Sequence, residues 1–215
     1  IINNNKKVTI SCSEGETGKI YEGELKFSIE KIKVNSDVKF PVKLMMNIGN
    51  PENSFTSSMI PNDGVGLARL EFIVSNHIKV HPLALSNYPK VQSDIKETIY
   101  KVLGDDHTDG KWYFIRRLAH GISKIASAFY PNNVIVRLSD FKSNEYKNLI
   151  GGEIYEPNEE NPMIGWRGAS RYYSDNFKDS FGLECEAIKY VRDIIGMDNV
   201  IVMIPFCRSP NECKK

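Results

Sequence analysis

Short apolar runs alternate with longer amphipathic segments along most of this 215-residue chain. The runs VKLMMNIG, GVGLARLEFIV, NVIVRLSD and NVIVMIPFC are nearly continuous in apolar residues, which is typical of strands buried on both faces. The longest intervening segment repeats an apolar residue every three or four positions, as an amphipathic helix does, at Phe114, Leu118, Ile122, Ile125 and Phe129. This alternation predicts a parallel α/β sheet with helices packed outside it.

The pattern contains four or five such strands, and their alternation with helices is that of a (β/α)8 barrel. A complete barrel takes about 250 residues, so the chain has room for roughly half of one. Ahead of it, VTISC and KIYEG predict two short strands around a glycine-containing turn. The sequence thus predicts an α/β fold, a partial (β/α)8 TIM barrel with only the first strands, preceded by a short β segment. The chain starts without Met, within a predicted strand, so we expect a piece of a longer protein.

Charge and cysteine usage exclude several functional classes. The chain has 28 basic and 27 acidic side chains and a formal net charge of +1, which argues for no nucleic-acid or membrane surface. No apolar run approaches the roughly 20 residues that a membrane span needs. The four cysteines, Cys12, Cys185, Cys207 and Cys213, form no C-x-x-C pair and match no zinc spacing. We therefore expect free thiols in a reducing cytoplasm.

Arginine recurs where the apolar runs end. Arg69 ends GVGLAR, Arg137 ends NVIVR, Arg167 ends NPMIGWR, and Arg208 ends VIVMIPFCR. Because ligands of parallel α/β folds gather beyond the carboxyl ends of the strands, these side chains should converge on one face. A guanidinium grips phosphate or carboxylate through two parallel hydrogen bonds, so the pattern indicates a small, multiply charged anion as ligand. The alternative for any single arginine is a salt bridge, for example between Arg137 and Asp140.

Other charged residues have simpler interpretations. His77 and His81 are four residues apart, but no glutamate lies between them and no third ligand is evident, so we expect a solvated or packing role. We expect Arg171 to pair with a local acid such as Asp175, one helical turn further on. Glu71, which follows a strand end, is interpreted as structural.

Four longer stretches carry a family resemblance. DGVGLARLEF, VIVRLSDFKSNEYKNLIGG, EPNEENPMIGWRGASRYY and VIVMIPFCRS resemble the phosphoenolpyruvate (PEP)-utilising enzymes, specifically phosphoenolpyruvate synthase (pyruvate, water dikinase). The resemblance covers nearly the whole chain from about Lys43 onward. LSDFKSNEYKNLIGG favours the synthase over its relatives, pyruvate phosphate dikinase and the phosphotransferase-system enzyme I. The opening TISCSEGETGKIYEGEL resembles the end of the swivelling phosphohistidine domain that precedes the barrel in this family.

The resemblance implies a division of the chain into three parts. Residues 1–30 would be the C-terminal end of the phosphohistidine domain, and residues 31–42 would be a linker. Residues 43–215 would then be the N-terminal part of the barrel that binds PEP and pyruvate.

The resemblance also implies a set of binding residues. Arg69 and Arg137 stand where the family has its two substrate-binding arginines. Arg167 falls at a GWR position that lies near the substrate in the relatives. Asp140 matches an acid that supports Arg137. These four residues are therefore the predicted substrate-binding residues of the chain.

The activity that the resemblance implies belongs to a larger protein. The family's synthase converts ATP, pyruvate and water to PEP, AMP and phosphate through a phosphohistidine. That histidine, the glutamate and aspartate ligands of Mg²⁺, the acid/base cysteine and the ATP-binding part would all lie outside this chain, so we expect it to be inactive alone.

Other functions remain open. The chain could be a non-catalytic anion-binding or assembly module, or the barrel of a related dikinase or PEP-protein phosphotransferase. An exposed strand edge at VIVMIPF would also allow a homodimer.

Overall fold

The computed structural model describes residues 5–12, 14, 17–31, 40–104 and 109–215. They fall into two compact units, Ile1–Lys39 and Phe40–Lys215. In the first unit, β1 (Val8–Ser11) pairs in antiparallel fashion with β2 (Lys19–Glu22), where the sequence predicts two short strands. Most of the predicted linker, residues 32–39, lies outside the described residues.

A parallel sheet of four strands forms the centre of the second unit. Its strands are β3 (Met46–Ile48), β4 (Val65–Arg69), β5 (Val134–Arg137) and β6 (Val200–Met203), in that order. Each strand pairs with the next strand along the chain, so the order has no reversal of the kind found in doubly wound sheets. The predicted α/β fold with a parallel sheet is confirmed.

Helices fill the connections between these strands. The helices of the described residues are α1 (Ser54–Ser58), α2 (Leu70–Ile73), α3 (Pro82–Asn87), α4 (Ser93–Leu103), α5 (Gly110–Phe129), α6 (Ser143–Lys147), α7 (Ala169–Tyr172), α8 (Lys178–Lys189) and α9 (Pro210–Cys213). The π-helical turns Val74–Ile78 and Tyr190–Ile195 extend α2 and α8, and Pro51–Asn53 and Gly152–Ile154 are 3₁₀ turns. Within the described residues, no helix is long and apolar enough to cross a membrane.

The long helix α5 provides much of the core. The Asp109 carboxylate accepts a hydrogen bond from the Trp112 N–H at 3.0 Å, which satisfies one free donor at the start of the helix. All five residues of its predicted apolar face are at most 3% exposed. They pack in the core cluster with α8 and the sheet, so the predicted helix and its buried face are confirmed.

The run GVGLARLEFIV is a strand only as far as Arg69. From Leu70 the buried positions recur every three or four residues, at Leu70, Ile73, Val74 and Ile78. That spacing is helical, so the second half of the run forms α2 and a π-helical turn instead of continuing the strand. Because β4 ends at Arg69, this side chain stands at the carboxyl edge of the sheet.

The run NPMIGWR is not a strand, and the expectation that Arg167 ends one is wrong. Pro162 has no N–H for a strand ladder. The Trp166 N–H donates to Glu159 Oε1 at 2.9 Å instead of to a neighbouring strand. A Cβ at Gly165 would lie 2.3 Å from Glu159 Oε1, so a larger residue here would displace the carboxylate that accepts this hydrogen bond. Arg167 is therefore carried by a loop that folds over the edge of the sheet.

Candidate functional site

Two of the predicted site residues lie side by side at the ends of neighbouring strands. Arg69 at the end of β4 is in register with Arg137 at the end of β5. Neighbouring strands lie about 4.8 Å apart, and paired residues project from the same face of a sheet. Two guanidiniums therefore leave the carboxyl edge of the sheet together, as the apolar runs predicted.

A cleft of about 660 Å³ opens at this edge. Its walls include all four predicted substrate-binding residues, namely Arg69, Arg137, Asp140 and Arg167. The structure thus brings together residues that are up to 98 positions apart in the chain, from Arg69 to Arg167. Arg208 does not line the cleft, although its run also ends at this edge.

Two carboxylates hold Arg137 and Arg167 in place. Arg137 Nη2 donates to Glu71 Oε1 at 2.8 Å, and its Nη1 lies 3.4 Å from Asp140 Oδ2. Arg167 donates a hydrogen bond to each oxygen of Asp140, from Nε to Oδ1 at 3.0 Å and from Nη2 to Oδ2 at 2.8 Å. Asp140 was predicted to support Arg137, but its two-bond partner is Arg167. These hydrogen bonds raise the pKa of the Arg167 guanidinium, which therefore keeps its charge.

Arg69 differs from the other basic residues of the cleft, which all pair with carboxylates. Lys142 Nζ lies 3.0 Å from Glu145 Oε1, which makes a further ion pair in the cleft wall beside those of Arg137 and Arg167. The Arg69 side chain is exposed and makes no hydrogen bond or ion pair with any residue that the structure describes. The simple salt-bridge interpretation thus holds for the other cations, and the cleft has one guanidinium without a carboxylate.

Glu71 has a larger part in the cleft than its interpretation as structural suggested. Its Oε1 also accepts a hydrogen bond from the Asp140 N–H at 2.6 Å, so one oxygen orients both Arg137 and the Asp140 backbone. Its Oε2 is buried and has no hydrogen-bond partner among the described residues. The sequence did contain a signal that Glu71 lies in the cleft, because this residue comes two positions after a strand-ending arginine.

A buried carboxylate supports the segment that carries Asp140. Glu184 of α8 is 1% exposed and accepts hydrogen bonds from the Ser139 N–H, at 3.1 Å, and from the Ser139 hydroxyl. Burial raises the pKa of Glu184 to about 7, against the lowering by these two bonds. Tyr146 donates to the Ser139 hydroxyl at 3.0 Å and Tyr172 donates to the Ser139 carbonyl. The backbone N–H, the backbone carbonyl and the hydroxyl of Ser139, the residue before Asp140, therefore all make hydrogen bonds.

A second buried network supports the loop that carries Arg167. Arg171 is 1% exposed and binds both oxygens of Glu156, at 2.6 and 2.8 Å. Its Nη2 also donates to the Trp166 carbonyl at 2.9 Å, and its guanidinium lies 3.9 Å from the centre of the Trp166 ring. The prediction that Arg171 pairs with Asp175 is wrong, because Arg171 points into the core whereas Asp175 is exposed.

His81 belongs to the same network. It is fully buried, and its Nδ1 accepts a hydrogen bond from the Leu83 N–H at 3.2 Å. The proton is therefore on Nε2, which donates to Glu156 Oε1 at 2.9 Å. Burial lowers the pKa of His81, so the ring is neutral. Burial raises the pKa of Glu156, but the bonds from His81 and Arg171 outweigh it and lower the pKa overall. The predicted packing role applies to His81, because both of its ring nitrogens are engaged in buried hydrogen bonds.

The described residues do not fit a magnesium site. They bring together no group of three histidine, cysteine, aspartate or glutamate side chains. In the cleft, Arg167 occupies both oxygens of Asp140, and Arg137 occupies one oxygen of Glu71. That Mg²⁺ ligands lie outside this chain stays a prediction.

Comparison with known proteins identifies the family. A family model described as PEP-utilising enzyme, PEP-binding domain, matches residues 25–215. The chain belongs to this family. Over its whole length it is 47% identical to a phosphoenolpyruvate synthase from Aquifex aeolicus and 52% identical to one from Pseudomonas aeruginosa. It is also 38% identical to a probable phosphoenolpyruvate synthase from Staphylothermus marinus.

The relatives are much longer than this PEP-binding domain. The chain spans 30%, 27% and 25% of the three relatives, respectively. The resemblance found in the sequence motifs is confirmed at the level of the family.

Proposed function

We propose that the cleft of this PEP-binding domain holds PEP or pyruvate. The observation that carries the proposal is the Arg69 guanidinium, which stands in register with Arg137 and has no partner among the described residues. An arginine that only stabilised the fold would be expected to contact a carboxylate, as Arg137 and Arg167 do. Arg69 is instead free to form a two-bond contact with a carboxylate or phosphate.

The charges of the cleft suit an anion of this kind. PEP carries a carboxylate and a phosphate on a three-carbon frame, and pyruvate carries the carboxylate alone. Arg69 would bind one anionic group, while Arg137 and Arg167 would contribute positive potential from fixed positions. In phosphoryl transfer, guanidiniums held in this way offset negative charge on the transferring group and on the enolate oxygen.

We extend this to the whole protein. It would convert ATP, pyruvate and water to PEP, AMP and phosphate. An acid/base group outside this chain would remove a methyl proton from bound pyruvate, and the resulting enolate oxygen would take the phosphoryl group from a phosphohistidine. Mg²⁺ would polarise bound pyruvate from ligands outside this chain. This chain would supply Arg69, Arg137, Arg167 and Asp140 as the binding part, and would be inactive alone. The natural setting would be the cytoplasm.

We also infer that β3 to β6 are the first four strands of a (β/α)8 barrel. Their sequential parallel order is the order of barrel strands. Val134 and Val136 of β5 are fully buried on the face that packs against helices. The opposite face carries Arg137, and on the neighbouring β6 it carries Ile201 and Met203, which are 43% and 37% exposed. Further strands would cover this face as the inside of a barrel. In this scheme residues 1–30 end the phosphohistidine domain and residues 43–215 begin the barrel.

Binding of PEP to Arg69→Ala tests the proposal. Because the Arg69 side chain makes no hydrogen bond or ion pair with a described residue, its loss should change the free energy of unfolding by less than about 0.5 kcal/mol. Its loss should weaken PEP binding about 10- to 100-fold, the value of a hydrogen bond to a charged group. Calorimetric titration with PEP measures the affinity, and urea denaturation measures the stability.

Arg117→Ala is the matched control. Arg117 is also an exposed arginine, but it lies outside the cleft and packs over the Tyr113 ring at 5.4 Å. Its loss should leave PEP affinity unchanged. Equal affinities for PEP in wild type and Arg69→Ala would refute the assignment of Arg69, and no PEP binding by the wild-type protein at its full natural length would refute the function.

Two other functions remain candidates. A non-catalytic anion-binding module would bind inorganic phosphate as tightly as PEP and show no turnover at full natural length. An assembly module would pair through the β6 edge, where Val202, Ile204 and Phe206 are between 39% and 52% exposed. Size-exclusion chromatography distinguishes the latter, since a monomer argues against a homodimer at this edge. A related dikinase or phosphotransferase would differ in its phosphoryl donor and acceptor.

A further inference from the structure

Arg208, the remaining arginine at a run end, contacts the loop that carries Arg167. Its Nη2 donates to the Gly165 carbonyl at 2.7 Å, and its Nη1 donates to the Ser170 hydroxyl at 3.0 Å and to the Arg167 carbonyl at 3.4 Å. One guanidinium therefore fixes the loop on both sides of Arg167. Its nearest carboxylate, Glu212, lies at 3.7 Å, which is too long for a direct hydrogen bond.

The aromatic ring of Phe206 adds a second connection. The guanidiniums of Arg167 and Arg208 lie 4.7 and 4.5 Å from the centre of this ring, so both arginines share it. Phe206 has a φ of +51°, a left-handed conformation that a bulky residue rarely adopts. Such strain persists only where the surroundings hold it, and here it keeps the ring in contact with both guanidiniums.

Backbone contacts also join the loop that carries Arg167 to the segment that follows β6. The Ala169 N–H donates to the Pro205 carbonyl at 3.2 Å. Gly168 has a φ of +58°, and a Cβ there would lie 2.7 Å from the Phe206 Cβ. The loop and the segment after β6 therefore fit together only because residue 168 is a glycine.

We propose that Arg208 is a positioning residue that holds Arg167 in its orientation toward the cleft. The proposal rests on the function proposed above, because Arg167 needs a ligand for its orientation to matter. Arg208 itself does not line the cleft, so it acts through the loop and not by touching the ligand. Without Arg208 the loop would keep its contacts to Asp140 and Arg171 but would lose the three hydrogen bonds that flank Arg167, so the Arg167 guanidinium would be oriented less precisely.

A double-mutant cycle in the protein at its full natural length tests this. Arg208→Ala should weaken PEP binding about tenfold, the size of coupling that residues in one hydrogen-bond network show. The double variant with Arg167→Ala should bind no more weakly than Arg167→Ala alone, within about twofold. Arg208→Lys keeps the charge but loses the three-way fork, so it should resemble Arg208→Ala. Arg117→Ala again controls for the loss of a surface arginine.

The outcomes separate the two proposals. If the wild type binds no PEP, the proposed function fails. If the wild type binds PEP but Arg167→Ala does too, with equal affinity, Arg208 has nothing to position and the inference is overturned. Additive losses in the double variant would show that Arg208 acts independently of Arg167, and full affinity in Arg208→Lys would show that its charge alone is sufficient. Either result would overturn the inference.

Discussion

Replacing Glu184 by glutamine should change how the stability of the protein depends on pH. Glu184 is buried behind the cleft, and it accepts two hydrogen bonds from Ser139. Glutamine has nearly the same shape, but its side chain does not gain or lose a proton in the accessible pH range. The variant therefore isolates the contribution of one buried ionisation.

The magnitude follows from the raised pKa of Glu184. In the unfolded chain the carboxyl has its ordinary pKa of 4.5, whereas in the folded protein burial raises the pKa to about 7. Between these two values the folded protein keeps a proton that the unfolded chain releases. The resulting stability is complete below pH 4.5 and is lost as pH rises through about 7. The gap between the two pKa values corresponds to about 3 kcal/mol.

Urea denaturation of both proteins at pH 5 and pH 8 measures this contribution. The free energy of unfolding of Glu184→Gln, relative to wild type, should rise by about 2 to 3 kcal/mol between these pH values. Other titrating groups cancel, because both proteins have them. Glu186→Gln makes the same change at an exposed position of α8 and is the matched control. A difference for Glu184→Gln that stays within about 0.5 kcal/mol would refute the reasoning from burial.

Two further variants, each with a control variant, test other parts of the structure. Arg171→Met removes one member of a buried ion pair and should cost about 3 to 5 kcal/mol of unfolding free energy, whereas Lys178→Met, at an exposed pair, should cost less than about 1 kcal/mol. Equal costs in urea denaturation would contradict the burial of Arg171. Gly168→Ala should cost about 1 to 3 kcal/mol, because its backbone conformation is accessible mainly to glycine. Gly182 lies in α8 with open space around a new Cβ, so Gly182→Ala should stabilise the protein by up to about 1 kcal/mol. Thermal melts in which the melting temperatures of both glycine variants shift in the same direction would contradict the difference between the two sites.

The two strand-end arginines were predictable because local rules place them. An apolar run that stops at a charged residue locates the end of a strand, and parallel strands share one carboxyl edge. Arg69 and Arg137 therefore had to stand near each other once β4 and β5 were neighbours. The predicted helices with a clear apolar face formed for the same reason, since a period of 3.6 residues leaves one way to bury that face.

The partners of the buried charges were not predictable from spacing. Arg171 in the short helix α7 and Glu156 in a loop are 15 residues apart, and His81 is 75 residues from the same glutamate. Only the folded path of the loop brings these groups together. Glu184 did leave a signal, because it lies in the apolar face of α8 with Leu183 and Ala187. A carboxylate in a buried helix face requires donors, and its position therefore marks a segment that the fold holds rigidly.

These supports determine which part of the cleft would have to reorganise to bind the proposed anion. Arg137 and Arg167 are already oriented by Glu71 and Asp140, so they lose little side-chain entropy when a ligand arrives. The carboxylates also reduce the net positive charge, so the fixed arginines alone would attract an anion weakly. Arg69 differs in both respects, because it carries an uncompensated charge and has its side-chain freedom still to lose. Ligand binding should therefore order Arg69 most, and the selectivity of the cleft should depend on how its one free guanidinium meets the ligand.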